Sequence, residues 1–137
     1  MTYLDILKAQ LPIDEGVKAK PYRDSEGILT IGCGRNLEHN GLRKDEIDLM
    51  LANDIDQAEA DARALFHVFD RLSENRKAVL VNMSFNLGKN RLSGFRKFIT
   101  AVNTGNFEQA AVEMLDSKWA VQVGNRAKRL ATMMTEG

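Results

Sequence analysis

The sequence predicts an α+β fold that is mostly helical, with one small antiparallel sheet near the N-terminus. Residues 18–22 and 28–31 have the pattern of two short strands on either side of an Asp-Ser-Glu-Gly turn at 24–27. A stripe of apolar residues at helical spacing follows from about 43 to 66, and apolar helical faces recur from 67 onward. A sheet this small is unstable alone, so it must pack on helices.

The first helix is predicted from Thr2, which can act as its N-cap, and Gly16 is its expected terminator. Pro12 either kinks this helix or starts a new turn. Its apolar face consists of Leu4, Leu7 and Leu11. This boundary places Glu15 on the last helical turn. After the strands, residues 36–42 are predicted to form a polar loop.

The remaining segments are predicted to be helices. The helix over 43–66 connects two lobes, and its acidic side chains should form a solvated face rather than a metal site; these are Asp54, Asp56, Glu59 and Asp61. Further helices are predicted over 73–87, 94–103, 107–117 and 125–135, with a short segment around Trp119 between the last two. The helix over 73–87 is apolar nearly all round, which predicts the buried centre of a helical lobe.

These elements predict a single domain with three parts. An N-terminal α/β lobe covers about 13–42, a connecting helix about 43–66, and a C-terminal helical lobe about 67–137, which also takes the N-terminal helix 2–11.

Composition is that of a globular protein, with 137 residues, 44% hydrophobic and 28% charged. The 19 basic and 19 acidic residues cancel, so net charge gives no reason to expect nucleic acid or a membrane surface as a partner. The single cysteine, Cys33, excludes an intramolecular disulfide and is interpreted as a small buried apolar residue. No Cys/His cluster indicates a metal, and no cofactor is expected. The N-terminus lacks the pattern of a signal peptide, and no apolar run is long enough to span a membrane.

Two carboxylates and a hydroxyl near the first turn are candidates for chemistry. Glu15 lies at a helix end, Asp24 in the turn and Thr30 on the facing strand. A carboxyl packed against a core tends to stay protonated, and one at a solvated turn stays ionised, which is the division that glycosidic bond cleavage requires. The same spacing also fits a helix-end Glu and a turn-capping Asp with no catalytic role.

The motifs of this segment resemble the active-site segment of phage lysozymes of the T-even type. They read Asp-Glu-Gly at 14–16, Asp-x-Glu-Gly at 24–27 and Thr-Ile-Gly-x-Gly at 30–34. The resemblance continues in order along nearly the whole chain, in segments 82–88, 94–95, 110–112, 117–119 and 125–129.

The resemblance implies a lysozyme-like fold and a muramidase, a glycoside hydrolase that cleaves the β-1,4 bond between N-acetylmuramic acid and N-acetylglucosamine in peptidoglycan. Glu15 matches the general acid, while Asp24 and Thr30 match the residues that hold and activate the attacking water. The family inverts the anomeric centre, so the two carboxyl groups are expected roughly 6.5–9.5 Å apart. Arg126 matches an arginine that pairs with the acid; a surface basic cluster is the alternative.

Substrate contacts are also implied by the resemblance. Phe85 and Asn86 match the cleft side of the helical lobe, although a core role for Phe85 is the alternative. By register, further sugar contacts fall at Asn36, Phe98 and Glu113, where the residue types depart from the family. Arg35 stands where the family often has histidine, so its pairing must differ, and the 36–42 loop is shorter than in the T-even enzymes, where a helix intervenes.

The implied partner is the peptidoglycan glycan strand, with no nucleic acid and no membrane insertion. The expected protein is a monomer made in the host cytoplasm, released to the cell wall with a holin and used by a phage for host-cell lysis. Local attraction to the wall would come from Arg35, Arg91, Arg96, Lys97, Arg126 and Lys128. The alternatives are a non-catalytic lysozyme-fold module of a phage particle and a helical nucleic-acid binder.

Overall fold

The computed structural model describes all residues, 1–137, and confirms a mostly helical α+β fold with one three-stranded antiparallel sheet. The strands are β1 (Lys18–Arg23), β2 (Leu29–Gly32) and β3 (Arg35–Asn36). The helices are α1 (Tyr3–Glu15), α2 (Leu37–Asn40), α3 (Lys44–Leu65), α4 (Glu74–Leu87), α5 (Lys89–Ser93), α6 (Arg96–Asn103), α7 (Phe107–Leu115), α8 (Lys118–Val123) and α9 (Asn125–Glu136), with a 3-10 turn at Phe69–Arg71.

The chain forms two compact units, Met1–Leu49 and Met50–Gly137, whose boundary falls within α3. The predicted grouping of the first helix with the C-terminal lobe stays a prediction. In the first unit, α1 begins and ends where the sequence indicates. The Thr2 hydroxyl oxygen accepts a hydrogen bond from the Asp5 amide at 3.3 Å, and the Asp5 carboxylate accepts one from the Thr2 amide at 3.0 Å. This reciprocal pair is a capping box.

The sheet has the order β1–β2–β3. Tyr22 is opposite Thr30 in the first pair of strands, and Thr30 is opposite Asn36 in the second. The register of β1 shifts between Lys18 and Tyr22, which indicates a bulge. Thr30 is therefore the centre of the sheet, between both neighbouring strands.

The prediction of a polar loop over 36–42 is wrong, because this segment contains the end of β3 and the single-turn helix α2. The Asn36 side chain accepts a hydrogen bond from the His39 amide at 3.0 Å, as an N-cap does. Gly41, with φ of 59°, ends the turn. The sequence signal was therefore a cap and a terminator with only four residues between them, which is too short for a periodic pattern.

The second unit is helical throughout. The prediction of one helix over 94–103 is corrected, since α5 precedes it, Gly94 follows α5, and α6 begins only at Arg96. The segment around Trp119 is the helix α8, capped by the Ser117 hydroxyl. Asn106 caps α7 as predicted.

One hydrophobic core lies in this second unit. Its largest fully buried side chains are Phe66, Val79, Leu80, Met83, Leu92, Phe98, Val102, Met114, Leu130 and Met134. The rings of Phe66 and Phe98 meet edge to face, with centroids 5.8 Å apart.

Helix α4 is only half buried, which corrects the prediction that it is the buried centre of the lobe. Leu80, Met83 and Leu87 face the core, whereas Ala78 is exposed and Phe85 remains 46% exposed. The apolar residues on the other side of α4, among them Ala78 and Phe85, line a surface pocket instead of the core. No helix combines the length and apolar character needed to cross a membrane.

Candidate active site

The Asp24 side chain is held by the turn that it begins. One carboxylate oxygen, Oδ1, accepts from the amides of Glu26 at 2.8 Å and Ile28 at 2.9 Å. The turn is closed by backbone bonds from Asp24 N–H to the Ile28 carbonyl at 3.0 Å and from Gly27 N–H to the Asp24 carbonyl at 2.9 Å. Within the first unit, the second oxygen, Oδ2, makes no hydrogen bond. The turn therefore fixes the half-buried Asp24 carboxylate through one oxygen and leaves the other as an acceptor.

Thr30 is the one buried residue of the first unit, with 4% of its surface exposed. Its hydroxyl donates to the Ile28 carbonyl at 2.9 Å. Because a hydroxyl has a single proton, Thr30 Oγ1 can act toward a further molecule only as an acceptor. Ile28 thus orients both predicted site residues, the Asp24 carboxylate through its amide and the Thr30 hydroxyl through its carbonyl.

Glu15 lies at the C-terminal end of α1, which Gly16 ends with φ of 76°. It is exposed, so burial in its own unit does not supply the desolvation expected of a carboxyl packed against a core. No hydrogen bond or ion pair within the unit holds its carboxyl group. The group lies instead beside Gly34, where an added Cβ would be 3.1 Å from Glu15 Oε2.

Two residues that the sequence analysis missed brace the Asp24 turn. Arg23 donates from Nη1 to the Gly27 carbonyl at 2.9 Å and to Glu38 Oε1 at 2.8 Å. The same Glu38 oxygen accepts from the Leu29 amide at 3.0 Å. The hydrogen bond from the Leu29 amide, followed by the one from Arg23, lowers the pKa of the Glu38 carboxyl. Helix α2, absent from the prediction, supplies this brace.

Arg35, which stands where the resembling family often has histidine, forms an ion pair with Glu46. Its Nη1 and Nη2 donate to the two Glu46 oxygens at 2.8 and 2.7 Å, and Nη1 also reaches the Gly41 carbonyl at 3.1 Å. The Arg35 bond, followed by one from the Arg43 amide at 2.9 Å, lowers the pKa of Glu46 to about 2. Arg35 is therefore neutralised locally and adds little to a basic rim.

The prediction of a buried Cys33 is wrong, because this residue is exposed. It lies in the tight turn between β2 and β3, flanked by Gly32 and Gly34 with φ of 67° and 71°. No group of three His, Cys, Asp or Glu side chains is arranged to hold a metal.

In the second unit, Phe85 and Arg126 line one open apolar pocket of about 380 Å³. The other residues of its lining are Leu51, Ile55, Ala78, Val81 and Asn82. Arg126 donates from Nε at 3.0 Å and from Nη2 at 2.6 Å to Asn82 Oδ1. Two of its five N–H donors are thereby used, so the remaining donors can bind a carboxylate. The 46% exposure of Phe85 excludes a plain core role for its ring.

Asn86 is exposed, and its Oδ1 accepts the indole N–H of buried Trp119 at 2.8 Å. This bond fixes the side-chain amide so that its NH₂ group points away from Trp119. The sequence contained both residues within matching motifs but no signal for their contact across 33 positions.

The three predicted contacts that depart from the family differ in exposure. Phe98 is 1% exposed and Glu113 is half-buried, and both line a second open pocket of about 360 Å³ with the exposed Arg96 and Lys97. Glu113 accepts from Gln109 at 3.0 Å. Asn36 lies in the first unit, where its side-chain oxygen caps α2.

Comparisons with known proteins identify a family for most of the chain. The family model "Phage lysozyme" matches residues 13–134. The chain is 26% identical to a probable T4-type lysozyme 2 of Dictyostelium discoideum, covering 96% of this chain and 94% of that protein. It is 28% identical to the endolysin of Salmonella phage P22, covering 74% and 73%. It is 24% identical to the pre-baseplate central spike protein Gp5 of Enterobacteria phage T4, covering 90% of this chain but 26% of that protein.

Proposed function

Because the chain belongs to the phage lysozyme family, we propose that it is a muramidase that hydrolyses the β-1,4 bond between N-acetylmuramic acid and N-acetylglucosamine with inversion. The observation that supports this most directly is the pair of acceptors formed by Asp24 Oδ2 and Thr30 Oγ1. Each has its other hydrogen-bonding capacity committed to the backbone around Ile28.

Two acceptors suit the attacking water. A water that donates one proton to Asp24 and the other to Thr30 has a lone pair left for the anomeric carbon. Asp24 takes up a proton as the carbon–oxygen bond forms, which is the role of a general base. Thr30 has no proton to spare for this water, so it orients the water without competing for the attacking lone pair.

Glu15 is proposed as the general acid that protonates the departing glycosidic oxygen. Inversion requires room for water between the acid and the base, so we expect their carboxyl groups roughly 6.5–9.5 Å apart. The pairing of Arg126 with Glu15 remains part of the proposal; the N–H donors that Asn82 leaves unused on Arg126 support it.

The glycan strand is proposed to contact Phe85 and Asn86, and further Asn36 and Glu113, whereas Phe98, also predicted as a sugar contact, is proposed only to line its pocket. Phe85 offers an exposed ring face to a sugar, and Asn86 offers its NH₂ group. Phe98, being buried, would support its pocket from below rather than stack on a sugar. Residues 66–137 carry eleven Lys and Arg against six Asp and Glu, which favours an anionic polymer despite the neutral total.

The proposed biological role is host-cell lysis by a phage, with a holin releasing a monomeric enzyme from the cytoplasm to the wall. The match to the P22 endolysin supports this role. The match to a central spike protein keeps a particle-associated module as the second candidate. The two candidates differ in wall cleavage. A catalytic protein cleaves peptidoglycan in a way that depends on Glu15, whereas a purely structural module does not cleave it.

The decisive experiment measures release of soluble muropeptides from purified Gram-negative peptidoglycan. We expect Glu15→Gln to abolish release, since an amide cannot donate the acidic proton. Asp14→Asn is the matched control, because it removes the neighbouring carboxylate of the same helix and should retain activity. A Glu15→Gln variant as active as the parent would disprove the assignment of the acid.

A second variant tests the geometry of the water. Thr30→Glu would place a carboxylate where water is expected and should trap a glycosyl adduct on the protein. Intact-protein mass spectrometry should then show added mass after incubation with peptidoglycan. If the folded variant remains unmodified while the parent cleaves the same sample, the proposed position of the water is wrong.

A further inference from the structure

The Arg35–Glu46 ion pair is one residue along the chain from Gly34 and makes no hydrogen bond to the proposed acid. Arg35 begins β3 directly after Gly34, the residue whose absent side chain leaves the space that the Glu15 carboxyl occupies. Glu46 is in the first turn of α3. The pair therefore links the turn that contacts Glu15 to the beginning of the long helix.

The Glu15 carboxyl occupies the space beside Gly34 that a side chain would enter. A Cβ added at Gly34 would lie 3.1 Å from Glu15 Oε2 and 3.4 Å from its Cδ. No hydrogen bond or ion pair within this unit provides a second anchor for the carboxyl. Where the Gly34 main chain lies thus limits where the carboxyl can lie.

The position of that main chain depends on Arg35. Strand β3 has only two residues and pairs with β2 only through Ile31 and Thr30, so the ladder contributes few restraints. The Arg35 side chain adds three, two to Glu46 and one to the Gly41 carbonyl. Glu46 is itself fixed at the beginning of α3 by the Arg43 amide at 2.9 Å. Planar two-point pairing of this kind fixes orientation as well as distance.

We propose that Arg35, held by Glu46, is a positioning residue for the general acid, which it serves by fixing the Gly34 main chain against the Glu15 carboxyl. This inference rests on the muramidase function proposed above. It assigns the pair a role in kcat rather than in substrate affinity, since neither side chain is required to touch the glycan.

The test measures kcat and KM for Glu46→Gln, Arg35→Lys and Arg35→Ala at a temperature well below each variant's unfolding midpoint. Glu46→Gln keeps the volume and an acceptor for the Arg43 amide but removes the charge, and Arg35→Lys keeps the charge but loses the two-point geometry. Misplacement of a catalytic group by about 1 Å costs up to about 100-fold in rate. We expect kcat to fall on the order of 10-fold to 100-fold with KM unchanged, and millimolar guanidinium to restore part of the Arg35→Ala loss.

Asp48→Asn is the matched control. Asp48 is on the same helix and pairs with Lys44 at 2.6 Å, but both side chains are exposed. Neither side chain forms a hydrogen bond with the β2–β3 strands. Wild-type kcat in Glu46→Gln and Arg35→Lys would overturn the proposal, as would a change confined to KM or an equal kcat loss in Asp48→Asn. If Arg35→Ala fails to fold, Glu46→Gln decides. Activity retained in Glu15→Gln would instead defeat the muramidase assignment, so the two failures are distinguishable.

Discussion

The two compact units of this chain differ in the interactions found inside each of them. Every buried apolar side chain lies in Met50–Gly137, where residues from α3 to α9 share one core. In Met1–Leu49 the only buried residue is Thr30, and several of the links between elements are polar side-chain bonds. They include the hydrogen bonds of the Asp24 turn and the ion pairs Arg23–Glu38 and Arg35–Glu46.

This difference separates stability from positioning. Burial of apolar surface provides most of the free energy of folding, whereas exposed ion pairs contribute little. Polar bonds are directional, however, and a two-point ion pair fixes a backbone segment at a set orientation. The proposed catalytic residues lie in the unit whose geometry depends on such bonds. Substitutions in the two units should therefore affect different measured quantities.

The largest expected effect is on stability, from Leu80→Ala in α4. Leu80 is fully buried in the core of the second unit. Removing a buried leucine side chain costs about 2–5 kcal/mol in transfer free energy and residual cavity. We expect the free energy of unfolding, measured by urea denaturation, to fall by that amount. The kcat of the variant at low temperature, where it remains folded, should stay close to that of the parent.

A matched control is Val121→Ala, which truncates a side chain that is 84% exposed in the same unit. Its unfolding free energy should change by less than about 0.5 kcal/mol. A large kcat loss in folded Leu80→Ala would contradict the separation of stability from positioning.

Local signals in the sequence predicted most of the fold. The α1 boundaries followed from Thr2 and Gly16, and the hairpin from the turn at 24–27, because each depends on residues within a few positions of one another. Exposure was less predictable. The apolar residues of α4 and Cys33 were both expected to be buried, and burial depends on which elements cover a residue, which no local pattern records.

The predicted site divides in the same way. Glu15, Asp24 and Thr30 were predicted by motif resemblance, and their catalytic roles stay predictions. The structure shows only the hydrogen bonds that hold the Asp24 and Thr30 side chains. Glu38 and Glu46 were missed because they pair with arginines fifteen and eleven positions away in sequence. Each pair joins a strand to a helix, so no repeat within one element relates its two members. Arg35, which departs from the family pattern, was the one available signal of such a pair.

Gly34→Ala should affect activity more than stability. A left-handed φ of 71° costs an alanine about 1–2 kcal/mol, and the new Cβ would lie 3.1 Å from Glu15 Oε2. We expect the carboxyl to be displaced and kcat to fall by about 100-fold. Muropeptide release and the urea midpoint should be measured on the same sample.

Gly105→Ala isolates the backbone strain from this contact. Gly105 has φ of 79° and no atom within 4 Å of an added Cβ. It should lose similar stability, about 1–2 kcal/mol, and retain its kcat. Equal kcat values for the two alanine variants would show that the Gly34 contact does not position the acid.

The smallest expected effect is the pH dependence of the Arg35–Glu46 contribution to stability. The Glu46 pKa is lowered in the folded state from its ordinary value of 4.5 to about 2, chiefly by Arg35. A carboxyl with a lowered folded-state pKa stabilises the protein above its unfolded-state pKa, and this stabilisation is lost as pH falls through the folded-state value. The melting temperature of the parent should therefore exceed that of Glu46→Gln by a constant amount from about pH 5 to 8, and the difference should close as pH falls toward about 2. In Asp48→Asn, where the pair is more exposed, the corresponding difference should be small throughout. A difference in melting temperature for Glu46→Gln that persists at low pH would mean that packing, rather than the ion pair, links β3 to α3.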